Sequence, residues 1–419
     1  MKPEFDIKTG RISEIINYLK LRKRVESVSD ISSKEKLDVL CQSLQLNHKQ
    51  FDQLLSEHSP VLRTIKGHAF EAVFDEIVEY NGHNVEEIGG DTNVDRIVNG
   101  HTLQLKTPNA SGTKGFNVEY KTHKTHGAKS EKEGMSYYHL VEKFPDFLVG
   151  LISYEPLQII FLERKILTLH PKDLNYVKSP FKISWENHGG LNAFDKIGIT
   201  DFKNNPSVYT ATSKELLPKS AKLLGLNTEI ILNTILRESN FRIWDMSIRG
   251  FAKEMAFKVF LDSFNIKYLP PENSQRTDAR ANKSDLVLIN NLTKEMEFLQ
   301  VKGLSVNNCK FLGKQSIVAI ETQLTRGRVN DDPTQSRLYY FTDFDWLIVG
   351  LEPCLAKMFR RECELLPELE WEFYAVPTKN LKSHSRMKHR LNSVQKFTYL
   401  DFQKYKISTQ WMKQWQKTN

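Results

Sequence analysis

His101-Thr102-Leu103-Gln104-Leu105-Lys106 is a short apolar run closed by Gln-x-Lys, and the same ending returns at Glu297-Phe298-Leu299-Gln300-Val301-Lys302. Alternate residues of a β-strand share a face, so the pattern sets Gln104 and Lys106 on one side and Leu103 and Leu105 on the other. Gln300 and Lys302 pair in the same way, against Leu299 and Val301. Upstream of each run an acid leads into aliphatics, Asp95-Arg96-Ile97-Val98 and Asp285-Leu286-Val287-Leu288. Further upstream each has a glutamate near the start of a helical apolar pattern, Gly67-His68-Ala69-Phe70-Glu71 and Gly250-Phe251-Ala252-Lys253-Glu254. Helix-Glu, strand-Asp and strand-Gln-x-Lys together describe one oxygen-rich, lysine-flanked pocket. The chain writes it twice.

The repetition extends outward from these runs. Ser33-Lys34-Glu35-Lys36-Leu37 opens a helical pattern that breaks at Leu46-Asn47 and resumes at Phe51, Leu54 and Leu55. Ser213-Lys214-Glu215-Leu216-Leu217 opens another, broken at Leu226-Asn227 and resumed at Ile230, Ile231 and Ile235. Such a pair resembles a helix-turn-helix, which can lay its second helix in a DNA groove; a packing bundle is the alternative. Downstream, Thr122-His123-Lys124-Thr125-His126-Gly127 answers Thr322-Gln323-Leu324-Thr325-Arg326-Gly327, and Tyr137-Tyr138 answers Tyr339-Tyr340. Asp146-Phe147-Leu148-Val149-Gly150 likewise answers Asp345-Trp346-Leu347-Ile348-Val349-Gly350. Matches kept in one order predict an internal duplication of units roughly 190 residues long.

The expected fold is therefore α/β, with two repeats, each a small helical module followed by a mixed sheet flanked by helices. The expected division is 1–66 for an N-terminal arm and helical module, 67–200 for the first sheet domain, 201–249 for a linker and second module, and 250–419 for the second sheet domain. The polar stretch 200–213, centred on Asn204-Asn205-Pro206-Ser207, reads as the linker.

At 419 residues the chain has room for two or three cores. Its formal net charge of +8 favours a polyanionic partner, as do the basic run 20–24 and the cluster Lys382, His384, Arg386, Lys388, His389 and Arg390. Cys41, Cys309, Cys354 and Cys363 fit neither a disulfide framework nor metal-ligand spacing, and read as free thiols of a reducing compartment. No apolar signal core or membrane-length run occurs, so the expected location is the cytoplasm, with no membrane partner.

The order of Glu, Asp and Gln-x-Lys resembles the PD-(D/E)XK nuclease superfamily, and within it the type II restriction endonucleases. The resemblance covers about 67–150 and 250–350 by motif. It departs from the family pattern in two places: Val94 and Ser284 stand where the motif has proline, and glutamine replaces the second acid in both halves. The resemblance implies Mg2+-dependent, sequence-specific hydrolysis of double-stranded DNA, each repeat cutting one strand. It assigns Asp95, Gln104, Asp285 and Gln300 to the metal, Glu71 and Glu254 to restoring its negative charge, and Lys106 and Lys302 to the attacking water. These residue types suit the chemistry: magnesium takes few protein oxygens and keeps waters, and a lysine can orient or deprotonate a nucleophile. Asp91 and Asp278 remain rivals for the central acid.

Thr125, His126, Thr325 and Arg326 are expected to face DNA. A cognate DNA methyltransferase is the expected companion activity, not a stable subunit. Two related surfaces on one chain predict a monomer acting as a pseudo-dimer. The alternatives are a non-catalytic DNA-binding protein on the same scaffold, and a DNA-repair nuclease.

Overall fold

The computed structural model describes residues 7, 9–88, 94–110, 115–118, 141–167, 169–171, 173–177, 181–184, 190–270, 284–291, 293–312, 315–323, 338–360 and 370–416. The protein is a mixed α/β chain that divides into two compact units. One is interrupted in sequence, Met1–Leu54 with Phe241–Asn419; the other, Leu55–Asn240, is continuous.

In the continuous unit a five-stranded sheet runs in the order Val85–Glu87, Arg96–Val98, His101–Lys106, Phe147–Tyr154, Leu157–Glu163. His101–Lys106 lies antiparallel to Arg96–Val98 and parallel to Phe147–Tyr154, with Gln104 opposite Leu148 and Lys106 opposite Gly150. Gly150 has a packing reason: a Cβ there would come within 2.9 Å of Ile160. The helix Ser59–Tyr80 buries Ile65, Ala69, Phe70, Val73, Phe74 and Ile77, the 3.6-residue spacing of a face turned to a core.

The interrupted unit repeats that sheet: Tyr268–Leu269, Leu286–Ile289, Met296–Lys302, Trp346–Leu351, Glu372–Pro377. Its directions are the same, and so is its register, with Gln300 opposite Leu347. Leu286, Leu288, Leu299 and Val301 pack with Phe257 and Leu261 of the helix Arg249–Ser263. Val287 and Phe298 go to the other face, with Tyr339 and Leu347. The Gln-x-Lys strands are buried on both faces, as central strands are.

Both helical modules share their turn. Gln45 (φ +52°) and Gly225 (φ +70°) end their first helices in the left-handed conformation. Asn47 and Asn227 then accept, through their side chains, the backbone N–H groups of Gln50 and Ile230, each at 2.9 Å. The helical starts differ. Ser33 begins the helix Ser33–Leu44, capped by Ser32, whereas Ser213-Lys214-Glu215 is a turn and the helix Pro218–Leu224 begins at the proline. Glu215 instead accepts the N–H and hydroxyl of Thr228. The stretch 200–213 is pinned to the continuous unit: Asn81 exchanges hydrogen bonds with the backbone of Lys203, and Phe202 stacks on Phe194.

In the interrupted unit a buried ionic cluster joins three segments. Arg249 donates to Glu352 at 2.8 and 2.9 Å and to the Thr9 carbonyl at 3.0 Å, and Lys253 approaches Glu352 to 3.0 Å. A Cβ on Gly303 would meet the Lys253 ammonium, so a larger residue there would push Lys253 out of its place beside Glu352. Cys41, Cys309 and Cys354 are free thiols. Among the described residues no helix is long and apolar enough to cross a membrane.

Candidate active site

Asp95 stands just before the strand Arg96–Val98 and Asp285 just before Leu286–Ile289, and each is fixed by the central strand beside it. The N–H of Asp95 donates to the Leu103 carbonyl and that of Asp285 to the Leu299 carbonyl, both at 2.8 Å. In return the N–H of Leu105, between Gln104 and Lys106, donates to the Asp95 carboxylate at 2.8 Å. The N–H of Val301, between Gln300 and Lys302, donates to Asp285 at 2.8 Å. Each acid is thus clamped at the middle residue of its Gln-x-Lys. A second pair of acids secures the other end: Thr102 N–H donates to Asp146 at 3.0 Å, and Phe298 N–H to Asp345 at 2.8 Å.

In the interrupted unit the Gln300 amide donates to Asp285, and the Tyr339 hydroxyl donates to the Gln300 amide oxygen at 3.3 Å. The Lys302 ammonium lies 5.5 Å from the centre of the Tyr339 ring. Glu254 comes from the helix Arg249–Ser263 and pairs with Lys258, one turn on, at 2.7 Å. Burial first, then the like charge of Glu254, pushes the Asp285 carboxyl up to about 7, against the pull of Lys302 and the Val301 N–H. Burial pulls the Lys302 ammonium down, with Asp285 and Glu321 opposing it. Burial and Asp285 raise the Tyr339 phenol.

The continuous unit has the same frame with a different lining. Arg96, 2% exposed, grips Asp75 with two hydrogen bonds of 2.8 and 3.0 Å, donates to the Asp95 carbonyl at 2.9 Å, and lies 3.6 Å from Glu71. His68 lies 3.5 Å from Glu71. Burial pushes the Glu71 carboxyl up, but His68, Arg96 and Arg237 outweigh it and leave the group below its usual value. Burial raises Asp95, with Lys106 and the Leu105 N–H opposing. Gln104 is buried beside this acid, and Lys106 is half-buried.

Among the described residues no group of three His, Cys, Asp or Glu comes together to hold a metal. The second set nevertheless suits a small oxygen-seeking cation. Two carboxylates, Asp285 and Glu254, oppose each other with an amide between strand and tyrosine, and their mutual repulsion is what a cation would relieve. The first set suits it less well, because the cation beside Glu71, Arg96, is buried and held by Asp75, whereas Lys258 beside Glu254 is about one-third exposed.

Tyr339, Arg96 and Asp75 have no site role that local sequence pattern reveals. Asp75 follows Glu71 by one helical turn, a spacing that places both on one face. Arg96 occupies the inward position that Leu286 fills in the other unit, since Arg96 pairs with Leu103 and Leu286 with Leu299. Asp91, Asp278, Thr125, His126, Thr325 and Arg326 lie outside the described residues. Thr322 is inside, fully buried, and donates its hydroxyl to the Asn392 carbonyl.

Next to the second site a basic hairpin leaves the fold. Leu391 N–H donates to the Tyr339 carbonyl at 2.8 Å, and the Arg390 guanidinium lies 4.0 Å above the Tyr340 ring. Gln395, fully buried, ties down both backbone groups of Lys382. Lys382, Arg386, Lys388 and His389 are exposed, and no acidic residue occurs between Glu372 and Asp401. No family model matches the chain, and no curated protein matches it.

Proposed function

We propose that the chain is a metal-dependent endonuclease of the type II restriction class, hydrolysing phosphodiester bonds of double-stranded DNA at two sites of one plan. The observation that carries the reading is the shared clamp: an aspartate held by the N–H inside Gln-x-Lys, 2.8 Å in both units, with a helix glutamate alongside. In the second site Asp285, Glu254 and, with the amide turned over, the Gln300 oxygen would hold Mg2+, and in the first Asp95, Gln104 and Glu71. The bound ion would lower the pKa of a water and offset charge on the phosphate.

The remaining work falls to the protein. Lys302, whose burial favours the neutral amine, takes a proton from the attacking water or holds it in line; Lys106 has the same place in the first site. Tyr339 keeps Gln300 in place whichever end of the amide faces Asp285, because a hydroxyl both donates and accepts. The hairpin 382–390 offers cations to the DNA backbone, where most protein–DNA contacts fall.

Incubating the full chain with unmodified plasmid and Mg2+, then sequencing the ends, tests the reading. Discrete double-strand ends at recurring sequences are expected. Salt-sensitive binding without any cleavage would turn the chain into a DNA-binding protein on this scaffold. Ends without sequence preference would favour a repair nuclease.

A further inference from the structure

The two sites share their backbone frame but not the residues behind it. Register aligns Arg96 with Leu286, and helical spacing from the shared glutamates aligns Asp75 with Lys258. In the first site the guanidinium of Arg96 is locked between strand and helix: two bonds to Asp75, one to the Asp95 carbonyl, and Glu71 3.6 Å away. A cation is therefore built in against the glutamate. In the second site Leu286 packs with Phe257 and Leu261. The cation on Glu254 is Lys258, whose side chain is about one-third exposed and makes its contact across one helical turn.

We infer that the two sites bind divalent ions unequally, the Asp285–Glu254 site tightly and the Asp95–Glu71 site weakly, because Arg96 stands fixed beside the first glutamate whereas Lys258 can leave the second. An ion arriving at Glu254 displaces an ammonium that swings into water. An ion arriving at Glu71 must sit against the like charge of a buried guanidinium 3.6 Å away, and Arg96 cannot swing aside because Asp75 holds it. Partners behind a metal ligand commonly change affinity by about 10–100-fold, and that is the gap expected here. The inference rests on the endonuclease reading for its consequence: at limiting metal only the second site is loaded, and the enzyme nicks one strand.

The test counts Mn2+ on the full chain without DNA, by the loss of its free-ion paramagnetic signal. Two classes of site separated by about 10–100-fold are expected. Asp285→Asn should remove the tight class and leave the weak one; Asp95→Asn should do the reverse. Arg96→Leu combined with Asp75→Lys writes the second lining into the first site and should bring the two classes together. Equal classes in the natural chain would overturn the inference, as would a tight class that survives Asp285→Asn, or no bound ion. If the double variant fails to fold, the two aspartate variants still decide. Because ion counting involves no cleavage, failure here is distinct from failure of the plasmid assay.

Discussion

The Tyr339 hydroxyl sits 3.3 Å from the Gln300 amide oxygen, and the same ring lies 5.5 Å from the Lys302 ammonium. One side chain thus supports two members of the Gln-x-Lys strand from outside it. Tyr339→Phe keeps the ring, which is 2% exposed, and removes only the hydroxyl. The protein should lose about 1 kcal/mol of stability. DNA cleavage should slow about tenfold or more as Gln300 loosens, the order seen when support behind a metal ligand is removed. Denaturant melts and single-turnover cleavage rates measure the two effects separately.

Lys302→Ala and Lys106→Ala should each convert a double-strand cutter into a nicking enzyme at saturating Mg2+. Changing both should abolish cutting and leave DNA binding nearly intact. Supercoiled plasmid run on agarose distinguishes the nicked from the linear product. Linear product at the natural rate from either single variant would show that the altered site is not a cutter.

The Asp285 carboxyl titrates near 7 in the folded chain against 3.8 for the ordinary group. Its proton is therefore held more tightly folded than unfolded. This group's contribution is therefore most favourable at low pH and is lost as pH rises from about 4 to about 7. Asp285→Asn removes the penalty. The variant should melt higher than the natural chain at pH 8, by several degrees, and the gap should close toward pH 4. Thermal melts across that range in metal-free buffer give the answer.

Glu352 is the shared partner of Arg249 and Lys253 in a fully buried cluster. Glu352→Gln leaves two buried cations facing a neutral amide, which should cost about 3–5 kcal/mol. Equilibrium unfolding in urea measures it. The loss should reach the second site, because Lys253 is the neighbour of Glu254 on one helix.

Lys382, Arg386 and Lys388 make no ion pair among the described residues and point from a hairpin tied down by Gln395. Changing all three to alanine should lower the slope of log affinity for duplex DNA against log salt by about 2–3. The fold and the ion count should not change. Fluorescence anisotropy with a labelled duplex at several salt concentrations tests it.

Much of the frame could be read in the chain because strands announce themselves by alternation. Gln104 and Gln300 fall on central strands, and Asp95 and Asp285 immediately precede the strands beside them. The linings could not be read in the same way. Arg96 sits in an inward position of a short strand, and its partner Asp75 comes from a helix twenty-one residues earlier. Nothing local distinguishes an arginine paired there from one in solvent. Tyr339 was visible as part of a repeated Tyr-Tyr, yet its contact with Gln300 spans thirty-nine residues of chain and depends on tertiary packing. The helix expected from Ser213 also failed, since the signal it shared with Ser33 was a capping pattern. Pro218, fixed in φ and lacking an N–H, took the first helical position instead.

The interrupted unit carries a consequence for synthesis. Its N-terminal segment, Met1–Leu54, belongs with Phe241–Asn419, so the whole of Leu55–Asn240 leaves the ribosome in between. The continuous unit has all its strands early and can fold as it emerges; the other must wait, its first helices exposed to solvent or chaperone. Arg249, bound to Thr9 on one side and Glu352 on the other, closes only when residue 352 has cleared the exit tunnel. A chain that stalls or is clipped before that point never closes the Arg249–Glu352 pair, and the interrupted unit is left without the strand Glu372–Pro377 that borders Trp346–Leu351.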